Sequence, residues 1–209
     1  MIQLFIIIYS ITLVYFAISE RVKKFIWLLV LQGVILFGVT IYSLHKIETP
    51  EFIFILLETI IVKSILVPWF LNRVRKHNHL RRESKASIPV FYSMIIVIIM
   101  LLLSFILSNY LNEIQLHTRF FTIAFASIIF GFYFIIIHKN IFSHLVGYLI
   151  IENGIFLLSL SVGNTMPIMV NLAILLDVFM GILILGVFIN RVGDTFNSIE
   201  IDKLSKLKD

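Results

Sequence analysis

Four side chains stand out because they ionise and yet lie deep in runs that are otherwise apolar. They are Glu58 and Lys63 in one run, Glu152 in another and Asp177 in a third. An acid or a lysine at the centre of a bilayer costs roughly 2.5–3.5 kcal/mol even on the lenient insertion scale. Four of them together cost on the order of 10–14 kcal/mol, comparable with the whole stability of a domain. Groups held at that cost mark ion paths, proton relays or counter-ions. With a helical rise of about 1.5 Å per residue, Lys63, Glu152 and Asp177 fall at roughly 14–20 Å depth, near the midplane. Glu58 falls nearer the outer surface. A charged belt at that depth is the layout of a lateral proton relay.

Glu58 and Lys63 are five residues apart, which on an α-helix sets them about 140° from each other. Lys63 must then find its carboxylate on another helix or another chain. Glu152 and Asp177 are the candidates. Such a pair could be a plain structural salt bridge, and a pair able to exchange partners would also be a proton switch. Asn153 directly follows Glu152, and His144 lies two turns toward the cytoplasmic end of the same run. Both could support a relay, His144 by passing protons inward. The alternative for His144 is a core histidine with its hydrogen bonds satisfied. Pro68, five residues beyond Lys63, removes a backbone donor and is expected to kink its helix.

The elements that must position these groups follow from composition. The chain has 209 residues, 60% of them hydrophobic and only 14% charged, with a mean hydropathy of +1.04. An ordinary soluble domain is about one quarter charged. Runs such as Ile95–Leu103 have no polar face at all. A soluble globular enzyme, a disordered tail and a nucleic-acid-binding domain are excluded by this pattern. A membrane β-barrel would need alternating segments of about ten residues, which are missing. The expected fold is all-α, a polytopic membrane bundle.

About twenty apolar residues cross the hydrocarbon core. Seven segments qualify: Ile2–Ser19, Phe25–Leu44, Glu51–Asn72, Ile88–Leu111, Thr118–Ile137, Asn140–Gly163 and Met166–Asn190. Thr49 with Pro50, Ser87 with Pro89 and Thr165 with Pro167 read as hydroxyl caps and prolines at helix starts. The first segment lacks a basic region before it, so it reads as a span and not as a signal peptide. Fourteen Lys and Arg residues fall on one side of this threading and only Lys46 and Arg119 on the other. The bias puts the N-terminus outside and the C-terminus in the cytoplasm. The tail after 192 carries Ile199, Ile201, Leu204 and Leu207 among charges, as a short amphipathic surface helix would.

The net charge of +5 resides in connecting loops. The loop Arg73–Lys85 is a topology determinant that could also dock a partner or anionic lipid. His77 and His79 in it have no third ligand nearby, so no metal site is expected. The chain has no Cys, which excludes disulfides and cysteine-held clusters. No helix carries a Ser/His pair, a zinc motif or paired protease-type carboxylates. The chain is not expected to be an enzyme on its own.

The same residues carry a resemblance. The stretch Lys139–Gly154, with Gly147, Tyr148, Glu152, Asn153 and Gly154 at its most specific part, resembles the sixth helix of the hydrogenase-4 component E family. That family supplies a membrane subunit of formate hydrogenlyase-type and related group 4 [NiFe]-hydrogenase complexes. Ile60–Pro68, with Lys63, Val67 and Pro68, resembles the family's lysine-bearing third helix. Asp177 falls on its acidic position in the last helix, and Lys203–Lys208 resembles its tail. The last three helices also resemble the K subunit of respiratory complex I. Asn140, Gly147, Asp177 and Gly181 match there, while Leu149 takes the acid position and Glu152 comes one turn later.

The resemblance implies a division into residues 1–111 as a four-helix part, 112–192 as a three-helix part and 193–209 as a cytoplasmic tail. It implies a multi-pass subunit of the cell inner membrane, non-catalytic, in an oxidoreductase complex. Its partners would be antiporter-like membrane subunits, a quinone-site-type membrane anchor subunit, and hydrogenase-like large and small subunits. Iron–sulfur clusters and a NiFe site would sit in those partners, and no cofactor on this chain. Glu152, Asp177 and Lys63 would be relay residues for protons or sodium, with Glu58 as a fourth. The competing readings are a standalone small transporter or channel, and a purely structural membrane-arm subunit.

Overall fold

A computed structural model describes residues 2–43, 58–77, 86–110 and 118–161. Helix α1 (Ile2–Ile18) turns through three residues into α2 (Val22–Ser43). A π-helical stretch (Glu58–Leu66) runs directly into α3 (Val67–His77). Helices α4 (Val90–Tyr110), α5 (Thr118–Ile137) and α6 (Ile141–Ser161) follow. Four of the helices hold segments long and apolar enough to cross a membrane: Val22–Ile41, Val90–Tyr110, Thr118–Ile137 and Phe142–Ser161. The seventh expected span, Met166–Asn190, the tail and the expected caps at Thr49 and Thr165 lie outside the described residues.

The burial pattern is that of a bundle built for lipid. On α4 the buried residues are Ser93, Val97, Ser104 and Ser108. The same helix leaves Phe91, Ile106 and Tyr110 exposed at 64%, 62% and 85%. In water this arrangement would be inside out. In a bilayer the outer face costs nothing, and small hydroxyls bond across helices or back to their own backbone. Ser104 donates to the Met100 carbonyl at 2.7 Å and Ser108 to the Thr118 carbonyl at 2.8 Å. Tyr133 donates to Ser93 at 3.1 Å, tying α5 to α4.

The most extensive packing is between α5 and α6, an antiparallel pair. Glycines set its closeness. A Cβ on Gly131 would lie 2.8 Å from the Gly147 carbonyl oxygen, and one on Gly154 would lie 3.0 Å from that of Ala124. Gly147 and Gly154 therefore share one face of α6, as their seven-residue spacing suggests, and Gly131 answers them on α5.

One end of the bundle gathers the basic connections. Phe16, Phe25 and Phe134 form a ring cluster, with Phe25 and Phe134 5.2 Å apart and Phe134 4.1 Å from His138. That cluster places the α1–α2 turn against the α5–α6 turn. The Ser87 amide donates to the Ile137 carbonyl at 2.8 Å and Ala86 bridges His138, so the start of α4 lies there too. Arg21, Lys23, Lys24 and Lys139 are thus at one end, joined by the far end of α3 with Arg73 and Arg75.

Three details depart from the sequence reading. Helix α2 starts at Val22 instead of Phe25, because the Arg21 carbonyl accepts the Lys24 amide at 2.8 Å and begins the first turn early. Ser87 does not hold the cap position of α4: the Pro89 carbonyl accepts the first bond of the helix from Ser93 at 3.1 Å, which puts the N-cap at Pro89, two residues after Ser87. The third helix continues to His77, beyond the expected Asn72. The cap of α6 is Asn140, whose Oδ1 accepts the Phe142 amide at 2.9 Å.

Gly147→Leu should lower the thermal midpoint of the purified protein, with a loss of about 1–3 kcal/mol from overpacking. Phe132→Leu, on the outer face of α5 at 56% exposure, should stay within about 0.5 kcal/mol of the parent. Thermal unfolding in detergent, read by circular dichroism, tests the contrast.

Candidate functional site: a buried ion pair and its polar chain

Lys63 lies within nine residues, Glu58–Leu66, that adopt π-helix. In that geometry backbone bonds run from i to i+5, and such turns occur frequently at functional sites. The Ser64 hydroxyl donates to the Thr59 carbonyl, five residues back, at 3.2 Å. Pro68, at the start of α3, has no amide to give back to the ladder. The expected angle of about 140° between positions 58 and 63 assumes α-helical winding. The wider π turn overturns that figure and brings positions five apart near one face of the helix.

Gly33 on α2 lets this stretch come close. A Cβ there would lie 2.7 Å from the Ser64 hydroxyl oxygen and 3.2 Å from the Lys63 carbonyl carbon. The contact presses the Lys63 backbone against α2 and sends its side chain toward α6. There Lys63 Nζ forms an ion pair with Glu152 Oε1. Both side chains are buried, at 7% and 8% exposure. Lys63 Nζ also lies 4.4 Å from the centre of the Phe156 ring, one turn beyond Glu152. That contact offers a cation a favourable apolar wall. An ammonium has three donors. Apart from the ion pair, Lys63 Nζ has no hydrogen-bond partner among the described residues. It can therefore take a second acceptor.

Glu152 is the twelfth of the twenty-one residues of α6, at its middle. Its rotation is fixed by its neighbour. Asn153 Nδ2 donates to Gln32 Oε1 at 3.1 Å, Gln32 Nε2 donates to Thr12 Oγ1 at 3.0 Å, and Thr12 donates to the Tyr9 carbonyl at 2.6 Å. All three side chains are buried, Gln32 completely. A second link starts from Tyr9. Ser127 donates its one proton to the Ile150 carbonyl at 3.0 Å. The Tyr9 hydroxyl, 3.0 Å from Ser127 Oγ, must therefore be the donor of that pair. The chain joins α6, α2, α1 and α5. Each link donates in one direction and ends on a backbone carbonyl, so it is a strut for Glu152 and not a proton wire.

Of the sequence-singled residues, Lys63, Glu152 and Asn153 come together. His144 does not. Its Nε2 donates to the His138 carbonyl at 2.6 Å at the basic end, about 12 Å along the helix from Glu152. Position 58 opens the π stretch. Asp177 lies outside the described residues. Sequence reasoning missed Gln32, Thr12, Tyr9 and Ser127. The available signal was Gln32, an amide in the middle of an apolar span, where it needs partners on other helices.

His138, between the spans, is a second buried ionisable group at 3% exposure. Its Nδ1 donates to the Phe134 carbonyl at 2.9 Å. Burial pushes its pKa down to about 4, with a smaller contribution from His144 in the same direction and an opposing one from the Phe134 carbonyl. The folded protein holds this ring neutral.

No family model matches the chain, and no solved structure matches it. Over 190 residues the chain is 22% identical to an uncharacterized protein of Mycobacterium tuberculosis, Rv0085, spanning 90% of this chain and 86% of that one.

Removing one partner of the pair leaves the other charge buried. Lys63→Met or Glu152→Ala alone should each cost about 3–5 kcal/mol, and the double variant should cost clearly less than their sum. Additive losses in detergent unfolding would refute the coupling. Because the folded pKa of His138 lies below its unfolded value, its effect is absent above about pH 6.5 and grows as pH falls toward about 4. The loss reaches roughly 3 kcal/mol. His138→Gln should flatten that part of the stability profile relative to the parent.

Proposed function

We propose that this chain is a non-catalytic membrane subunit of a group 4 hydrogenase-like, complex I-related redox complex, and that it contributes to proton or sodium translocation through its mid-membrane charges. The observation that carries the reading is the Lys63–Glu152 pair, buried at the middle of α6 and mounted on a π-helical turn. The resemblance of Lys139–Gly154 and Ile60–Pro68 to the hydrogenase-4 component E family supplies the rest. The chain crosses the inner membrane seven times, and the gathered basic end faces the cytoplasm by the positive-inside rule.

In this reading Lys63 alternates between carboxylates. A proton arriving on Glu152 cancels its charge and frees the ammonium. The ammonium then takes its second acceptor from the last helix, at Asp177. Loss of the proton restores the first pairing. Glu58 serves the outer side of the path, and Asn153 holds Glu152 in place while the lysine moves. His144 serves at the basic end, where it meets the loop carbonyl of His138. Redox chemistry belongs to partners: hydrogenase-like subunits carrying iron–sulfur clusters and a NiFe site, beside antiporter-like and quinone-site-type membrane subunits.

The strut from Asn153 through Gln32 to Thr12 favours a second reading, a purely structural membrane-arm subunit whose charges only fix packing. Two experiments separate the readings. A gentle detergent pull-down of the tagged chain should bring antiporter-like and hydrogenase-like subunits in fixed ratio. Isolation as a lone monomer or homo-oligomer would point to a standalone transporter. Within the complex, Glu152→Gln and Asp177→Asn should leave assembly intact and reduce ion translocation per turnover by about tenfold or more. Normal coupled pumping in both variants would leave only the structural role.

A further inference from the structure

Between α2 and α3, at the basic end, lies a groove of about 450 Å³ lined by Lys23, Ile26, Trp27, Val30, Pro68, Trp69, Asn72 and Arg75. The volume is that of a small-molecule site. Its walls are graded. On α2 the lining residues fall at i, i+3, i+4 and i+7, one face of the helix. They run from Lys23 at the end of the bundle to Val30 about 10 Å deeper. On α3 the gradient runs in the opposite chain direction, from Pro68 and Trp69 out to Asn72 and Arg75. Both walls therefore carry a cation at the end, a tryptophan one or two turns in, and an aliphatic residue or proline deeper.

We propose that this groove is a binding site for one anionic phospholipid, its phosphate held by Lys23 and Arg75 and an acyl chain laid along Ile26, Val30 and Pro68. The site rests on the chain lying in a bilayer and is independent of the ion-relay reading. Three observations select this occupant. Neither Lys23 nor Arg75 pairs with a carboxylate among the described residues. Arg75 is held ready: its Nε and Nη2 both donate to Asn72 Oδ1, at 3.2 and 2.8 Å, leaving its remaining N–H groups for an anion. Trp27 and Trp69 are 66% and 58% exposed at the level where tryptophan sits against headgroups. The Arg73 guanidinium covers the Trp69 ring at 5.6 Å and adds a third cation at the mouth. Basic pockets between membrane helices on the cytoplasmic side are sites of this kind. An apolar peptide would leave both cations unanswered, and a free anion would leave the apolar floor unfilled.

The test uses the full chain with whatever subunits copurify, delipidated in mild detergent and examined by native mass spectrometry. The probes are phosphatidylglycerol, phosphatidylcholine of the same acyl composition, and inorganic phosphate. Phosphatidylglycerol should be retained about tenfold better than phosphatidylcholine or more. The joint variant Lys23→Gln with Arg75→Gln should lose most of that preference. Val30→Trp, which fills the floor and keeps the charges, should weaken retention of phosphatidylglycerol. Equal retention of the two lipids by the parent protein overturns the proposal without reference to any variant. So does an undiminished preference in the joint variant. If millimolar inorganic phosphate displaces phosphatidylglycerol, the site is one for a free anion and the lipid assignment fails.

Discussion

Two opposite charges withdrawn from water must meet each other, and the described part of this molecule is organised around that requirement. Lys63 and Glu152 are on different helices, so the helices have to be brought to one height and one facing. Gly33 admits the Lys63 backbone against α2. Gly131 and Gly147 lock α6 to α5. The bonds from Asn153 to Gln32 and Thr12 stop α6 from rotating. Each would be an unremarkable feature alone. Together they hold the carboxylate where the ammonium can reach it. A buried pair of this kind gives little net stability and is expensive to break, so it is better understood as a constraint on arrangement than as glue.

The rest of the bundle obeys a different solvent. The outer face of α4 is Ile, Leu and Phe, and its inner face carries serines. With lipid outside, apolar surface supplies no drive for association, and small residues with hydroxyl contacts take over. Aromatic packing concentrates at the basic end, where Phe16, Phe25 and Phe134 close the turns over a neutral His138. The charged side chains there stay at the rim, and the buried histidine beneath them is kept uncharged by the same apolar cluster. The ion pair and this cap are two separate answers to the problem of polar groups among hydrocarbon.

The sequence made the helices legible because their apolar runs are long and uninterrupted. The fifth span, Thr118–Ile137, was readable to the residue. Boundaries moved where a local bond decided them, as at Arg21 before α2 and Pro89 before α4. Lys63 and Glu152 were conspicuous as charges in apolar runs. The expectation that Lys63 pairs on another helix rested on α winding between positions 58 and 63, a premise the π stretch removes even though the partner found is on α6. Which carboxylate it meets was not legible, since depth along two helices leaves their rotation open. The π winding was invisible for a related reason. Thr59, Ile60, Ile61 and Val62 suit several helical forms, and only the contact with Gly33 and the missing donor at Pro68 decide among them. Gln32 was the readable clue to the polar strut. Tyr9 and Ser127 needed the packed structure to become a pair.

The π stretch has a consequence for how such chains can be compared. One turn of it holds about one residue more than an α turn, because its bonds close over five residues in place of four. Removing a single residue between positions 58 and 66 would let one turn relax to α winding. That turn would still be one turn, so the side chains beyond the cut would keep nearly the same facing. Taking up α winding with the full residue count would instead turn Lys63 away from the face it shares with position 58, without any residue having been substituted. In this segment the count of residues and the winding are tied to each other. An alignment that opens a one-residue gap there can join two versions of one device, one wound as π and the other as α.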